Sequence, residues 1–77
     1  MAAIFHFEVL GETGWEPVCA GLGAGADPIR SALEEVRELC GGKLPAGSYR
    51  VIHSRSKDAR WETFRIDKRG RMLRDRR

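Results

Sequence analysis

Cysteine, histidine and long apolar runs are scarce in this chain, and each scarcity removes a class of protein. Cys19 and Cys40 are its two cysteines. They are too few for the disulfide framework of a small secreted domain, and no C-x-x-C pair or Cys/His cluster supplies metal-ligand spacing. His6 and His53 are the two histidines, and neither stands in a recognisable catalytic motif. A nucleophilic Cys19 would need one of them as its base. Glu34, Glu35 and Glu38 form no deep acidic pair either, because so small a domain rarely encloses the roughly 300 Å³ cleft a ligand site needs. No enzymatic activity, cofactor or metal is expected. No window approaches the roughly 18 apolar residues of a transmembrane span. Met1 to Val9 lacks a basic leader and is interrupted by Glu8, so it does not read as a signal peptide, and a cytoplasmic location is expected.

What is present fits one small folded domain. The 77 residues are 42% hydrophobic and 32% charged, which sets the chain apart from disordered and collagenous sequences. At this length only about 60% of the unfolded chain's surface is buried, so there is one thin core.

The net charge of +3 conceals a division. Residues 1–49 hold three Lys/Arg against seven Asp/Glu, a balance of −4. Residues 50–77 hold eleven against four, a balance of +7, and nine of the eleven are arginine, whose planar fork suits phosphates, carboxylates and flat rings.

The patterning predicts an α+β domain over residues 1–73, ββαββ or ββαβββ, with an antiparallel sheet covered on one face by one amphipathic helix. Residues 74–77 read as a basic tail. Ala3 to Leu10 and Trp15 to Leu22 form a hairpin about Gly11-Glu12-Thr13-Gly14. Pro17, which cannot donate to a ladder, puts the second strand at an edge. Val18, Ala20 and Leu22 alternate along that strand, with Val18 and Leu22 assigned to the core. Asp27 caps a helix that begins at Pro28 and stops at Gly41-Gly42, with Ile29, Ala32, Leu33, Val36 and Cys40 as its apolar stripe. Arg30 is spaced to pair with Glu34. Gly21-Leu22-Gly23-Ala24-Gly25 lacks the dinucleotide and P-loop patterns and reads as a flexible linker. Tyr49 to Ser54, Arg60 to Asp67 and Arg71 to Leu73 complete the sheet. A tight turn over Asp67 to Gly70 needs positive φ at the glycine. The remaining core is Phe5, Phe7, Val9, Ile29, Leu33, Val36, Tyr49, Val51, Phe64 and Ile66.

This layout leaves one sheet face open, carrying Ile4, His6, Glu8, Arg50, Ile52, Trp61, Thr63 and Arg65. The candidate binding residues are Arg50, Arg60, Trp61, Arg65, Lys68, Arg69, Arg71 and Arg74, with Lys57 and Trp15 as further contributors. Arginines tracking a phosphate backbone beside a stacking tryptophan are the means by which single-strand and RNA-binding sheets work, so RNA or single-stranded DNA is the favoured partner. The alternative is a protein-interaction module, such as a small phage-type inhibitor or adaptor of a host nucleic-acid machine, because Trp, Tyr and Arg also dominate protein interfaces. Homodimerisation through a sheet edge is a further option.

Overall fold

The computed structural model describes residues 3–54 and 59–74. Strands β1 (Ala3–Gly11) and β2 (Gly14–Gly23) are followed by helix α1 (Pro28–Leu39), then β3 (Gly47–His53), β4 (Glu62–Ile66) and β5 (Met72–Arg74). The sheet order is β2-β1-β3-β4-β5, every neighbouring pair antiparallel, with α1 on one face. This is the ββαβββ version of the predicted α+β arrangement. Element ends differ from expectation by one or two residues, and Arg60 and Trp61 precede β4 rather than belonging to it. Arg74 ends β5 and is not part of a tail. Lys57 and residues 75–77 lie outside the described residues.

The helix begins as its sequence dictates: the Asp27 carboxylate accepts the Arg30 backbone N–H at 3.3 Å, and Pro28 sits in the first turn where its missing N–H costs nothing. At the other end Gly41 and Gly42 adopt positive φ and turn back to cap the last carbonyls. Ala32, Leu33 and Val36 are fully buried against Phe5, Phe7, Tyr49, Val51, Phe64 and Ile66. Cys40 does not join this stripe; it is the exposed C-cap residue. Arg30 pairs with Asp27 rather than Glu34, and Glu34 pairs with Arg37.

The main departure from expectation is in β2. Phe7 pairs with Cys19 but Glu8 pairs with Pro17, so Val18 is the extra residue of a β-bulge, which reverses the alternation on either side of it. Cys19, Gly21 and Gly23 face the helix. Leu22, expected in the core, is instead 49% exposed on the open face, opposite Ile4. Val18 is half-buried against the core edge. Gly21 and Gly23 are therefore strand residues on which α1 rests, not part of a linker. A Cβ on Gly21 would lie 2.5 Å from the Ala32 carbonyl oxygen, and one on Gly23 would lie 2.0 Å from that of Pro28. The missing side chains let helix and strand backbones approach closely.

The far half of the sheet is tied to the helix by long side chains. Arg37 Nη2 donates to the Gly70 carbonyl at 2.7 Å, and Arg74 Nη1 donates to both Asp27 carboxylate oxygens at 3.1 Å. The Tyr49 hydroxyl donates to the Pro45 carbonyl at 2.6 Å and pins the α1–β3 connector, under which Leu44 is buried.

Candidate docking surface on the open sheet face

Register fixes what the uncovered face carries. Leu22 and Ile4 lie side by side, as do Ala20, His6 and Ile52; Pro17, Glu8, Arg50 and Thr63; and Trp15 with Leu10. Ser48, Arg65 and Leu73 form a further row. The bulge matters here, since unbroken alternation from Cys19 would have sent Trp15 to the helix side. It instead turns Trp15 onto the open face.

At the centre, the Arg50 guanidinium lies over two indoles, 4.6 Å from the Trp15 ring centroid and 4.1 Å from that of Trp61. Its Nε and Nη2 donate to Glu8 Oε1 at 2.8 and 2.5 Å. Both ends of this ion pair are three-quarters covered, so it is screened less than a surface pair. The arrangement fixes both indoles beside a cation whose charge Glu8 neutralises. Around it Ile4, Leu10, Leu22, Trp61 and Leu73 are all exposed. Leu10, Trp15, Thr63, Arg65 and Leu73 line a shallow cleft of about 450 Å³ at one end of the face.

The eight residues selected from the sequence are divided by the fold. Arg50, Trp61 and Arg65 share the open face. Lys68 and Arg69 sit on the β4–β5 turn, away from it. Arg71 pairs with Asp67, which also accepts the Arg69 and Arg71 backbone N–H groups. The Arg71 N–H bond is foremost in holding the Asp67 carboxyl below its ordinary range; slight desolvation opposes it, and the Arg71 guanidinium and Arg69 N–H reinforce it. Arg74 points to the helix side, clamped to Asp27, with Nε 3.1 Å from Glu62 Oε2 but off the axis a hydrogen bond needs. At Asp27, desolvation pushes the pKa up but is outweighed by the Arg30 backbone bond, the Arg74 charge and the side-chain bonds to Arg30 and Arg74, leaving the carboxyl below its ordinary value. Arg60 is exposed beside Trp61. Arg60, Arg65, Lys68 and Arg69 have no ion-pair partner among the described residues.

Sequence reasoning missed Leu10, Leu22 and Leu73 as members of the face and did not place Trp15 beside Arg50. The signal for the first set was Gly21 and Gly23 at alternate strand positions, which mark the side of β2 where a backbone approaches. Cys19 and His6 both border one surface cleft, but no hydrogen bond joins the thiol to a histidine among the described residues. Cys19 faces the helix side opposite Phe7 while His6 faces the open side, and His53 lies against Phe5 with ring centroids 5.1 Å apart, two strand spacings from Cys19. Cys19 Sγ instead lies 3.6 Å from the Ala20 carbonyl. Among the described residues no cluster of three or more His, Cys, Asp or Glu is placed to hold a metal, and no helix is long and apolar enough to cross a membrane. No protein-family model, curated protein or solved structure matches the chain.

Proposed function

We propose that this protein is a non-enzymatic binding module whose open sheet face docks onto another protein. The observation that carries the reading is the state of Arg50: its charge is already matched by Glu8, and it is in cation–π contact with both Trp15 and Trp61. A cation so engaged has little to offer a phosphate. What the face presents is an aromatic centre, with exposed Ile4 and Leu22 toward one end of the sheet and Leu10 and Leu73 toward the other. Exposed apolar side chains gathered on one face support an interaction surface, and Trp with Arg at its centre is the composition of interface hot spots. Holding both indoles in place beforehand reduces the side-chain entropy lost on docking. The nucleic-acid version of this surface is disfavoured by the same geometry, since Arg65 is the one open-face strand cation without an ion-pair partner among the described residues.

The test is affinity capture from the native cell, with and without nuclease, using the wild type, Trp61→Ala and Leu39→Ser. Leu39 is 64% exposed on the helix and serves as a control away from the sheet. Docking through the open face predicts protein partners that survive nuclease, are lost with Trp61→Ala and are kept with Leu39→Ser. Absence of nuclease-resistant protein partners that depend on Trp61 would refute the protein reading.

A further inference from the structure

The β4–β5 turn, the C-terminal end of α1 and the α1–β3 connector enclose a cleft of about 390 Å³ on the opposite side from the docking face. Its charged lining is Arg37, Lys43, Lys68 and Arg69, and no carboxylate lines it. We propose that this cleft is a phosphate-binding site for the backbone of a single-stranded nucleic acid.

Three observations support the assignment. First, no carboxylate lines the cleft: Asp67, next to Lys68, is engaged by the N–H groups of its own turn and by Arg71, and the one cleft cation paired with an acid among the described residues is Arg37, with Glu34 at 3.0 Å. The carbonyl end of α1, which would repel an anion, is covered by the N–H groups of Cys40, Gly41 and Gly42. Second, the walls are fixed. Arg37 ties α1 to Gly70, Tyr49 ties the connector through Pro45, and Gly70 closes its turn on Asp67, so Lys43, Lys68 and Arg69 project from anchored backbone. Third, the cleft offers charge without an apolar anchor. Leu44, its largest aliphatic side chain, is buried, whereas an acidic peptide would need an exposed apolar pocket to hold it. A phosphate chain needs only cations at close range.

Lys43, Lys68 and Arg69 are the three exposed cations of the cleft. If each neutralises one phosphate, the dependence of log affinity on log salt carries a slope near −2 from this site, at about −0.7 per contact for single strands. Raising salt from about 50 to about 200 mM then lowers affinity about 18-fold through these three residues alone.

The experiment measures anisotropy of a labelled single-stranded oligonucleotide of roughly 12 nucleotides, a span typical of small single-strand-binding domains. It compares the full-length wild type, Lys43→Ala/Lys68→Ala/Arg69→Ala and Arg60→Ala/Arg65→Ala over that salt range. All five positions are exposed or, like Arg60, outside a strand, and circular dichroism checks that each variant folds. The proposal expects the triple variant to flatten the salt slope by about 2 and the double variant to leave it unchanged. Absence of wild-type binding, an unchanged slope in the triple variant, or equal flattening per cation in both variants would overturn it. Polyglutamate binding as tightly as the oligonucleotide would assign the cleft to acidic peptides and also overturn it. The cleft shares no residue with the open face, so this result and the capture result stand or fall separately.

Discussion

Replacing Gly21 or Gly23 with alanine tests the packing that sets both faces of the sheet. Neither glycine has positive φ, so backbone strain plays no part, and in open space either substitution would stabilise the domain by about 0.4–1 kcal/mol by stiffening the unfolded chain. The contacts reverse that sign. At Gly23 the added Cβ would meet the Pro28 carbonyl oxygen at 2.0 Å and the Phe5 ring at 2.9 Å; at Gly21 it would meet the Ala32 carbonyl oxygen at 2.5 Å and Val36 Cγ2 at 3.0 Å. Ordinary contact starts at 3.4 Å, so α1 must withdraw by about 1.4 Å in the first case and about 0.9 Å in the second. Gaps of 0.5–1 Å already forfeit a quarter to a half of the dispersion energy of the contacts they open, and Leu33 and Val36 lie in the layer that would part. Overpacking of this kind costs about 1–3 kcal/mol, with Gly23→Ala near the upper end and Gly21→Ala nearer the lower. At about 4–8 °C per kcal/mol for a domain this size, Tm should fall by about 5–10 °C for Gly21→Ala and by about 12 °C or more for Gly23→Ala. Thermal and urea melts by circular dichroism measure both. A rise in Tm for either variant would mean that α1 does not rest on these glycines, and would refute the bulged register of β2 with it.

Three other outcomes follow from named contacts. Arg50→Lys keeps the charge but loses the fork to Glu8 and the flat stacking on two indoles, each cation–π contact contributing about 0.5–1 kcal/mol; a destabilisation of about 1–2 kcal/mol with altered tryptophan emission is expected, and unchanged emission would contradict the Trp15–Arg50–Trp61 geometry. The depressed Asp27 pKa adds stability that is present above its unfolded value near 3.8 and is lost as pH falls through the lower folded value. The acid limb of the stability profile should therefore be shallower in Asp27→Asn than in the wild type, and identical limbs would exclude the Asp27–Arg74 clamp. Tyr49, pushed above its ordinary value chiefly by burial, works in the opposite sense, giving stability that is complete below about pH 10 and declines as pH rises toward its folded pKa; Tyr49→Phe should flatten that alkaline limb at the cost of the bond to Pro45, and an unaltered limb would contradict the burial of the hydroxyl.

Much of the fold was legible because local signals agreed. Asp27-Pro28 started the helix, Gly41-Gly42 ended it, Pro17 placed β2 at an edge, and alternation of Phe5/Phe7, Tyr49/Val51 and Phe64/Ile66 named the core of three strands. The site was less legible because it depends on β2, where the only alternating apolar residues were read as core. Val18, Ala20 and Leu22 follow a clean two-residue period, yet the small Gly21 and Gly23 take the inward positions, since helix–strand contact there requires absence of side chain rather than hydrophobicity. A one-residue bulge cannot be read from such a pattern, and it alone decides where Trp15 points. The pairing of the charges was not legible for a related reason: the arginine-rich segment gives no sign of which cations meet an acid in the fold, and Arg50, Arg71 and Arg74 each do. Two of those acids, Glu8 and Asp27, lie in the acidic half of the chain, so the −4 and +7 segments partly neutralise one another in the fold.

Photo-crosslinking inside the native cell tests the docking surface most directly. A photoreactive residue replaces Leu22, Leu73 or Leu39, one per variant, and products are separated after nuclease digestion. Discrete protein adducts from positions 22 and 73, with none from position 39, are the predicted result. Adducts from the helix position alone, or products that vanish with nuclease, would contradict the assignment of the open sheet face as a protein-binding surface.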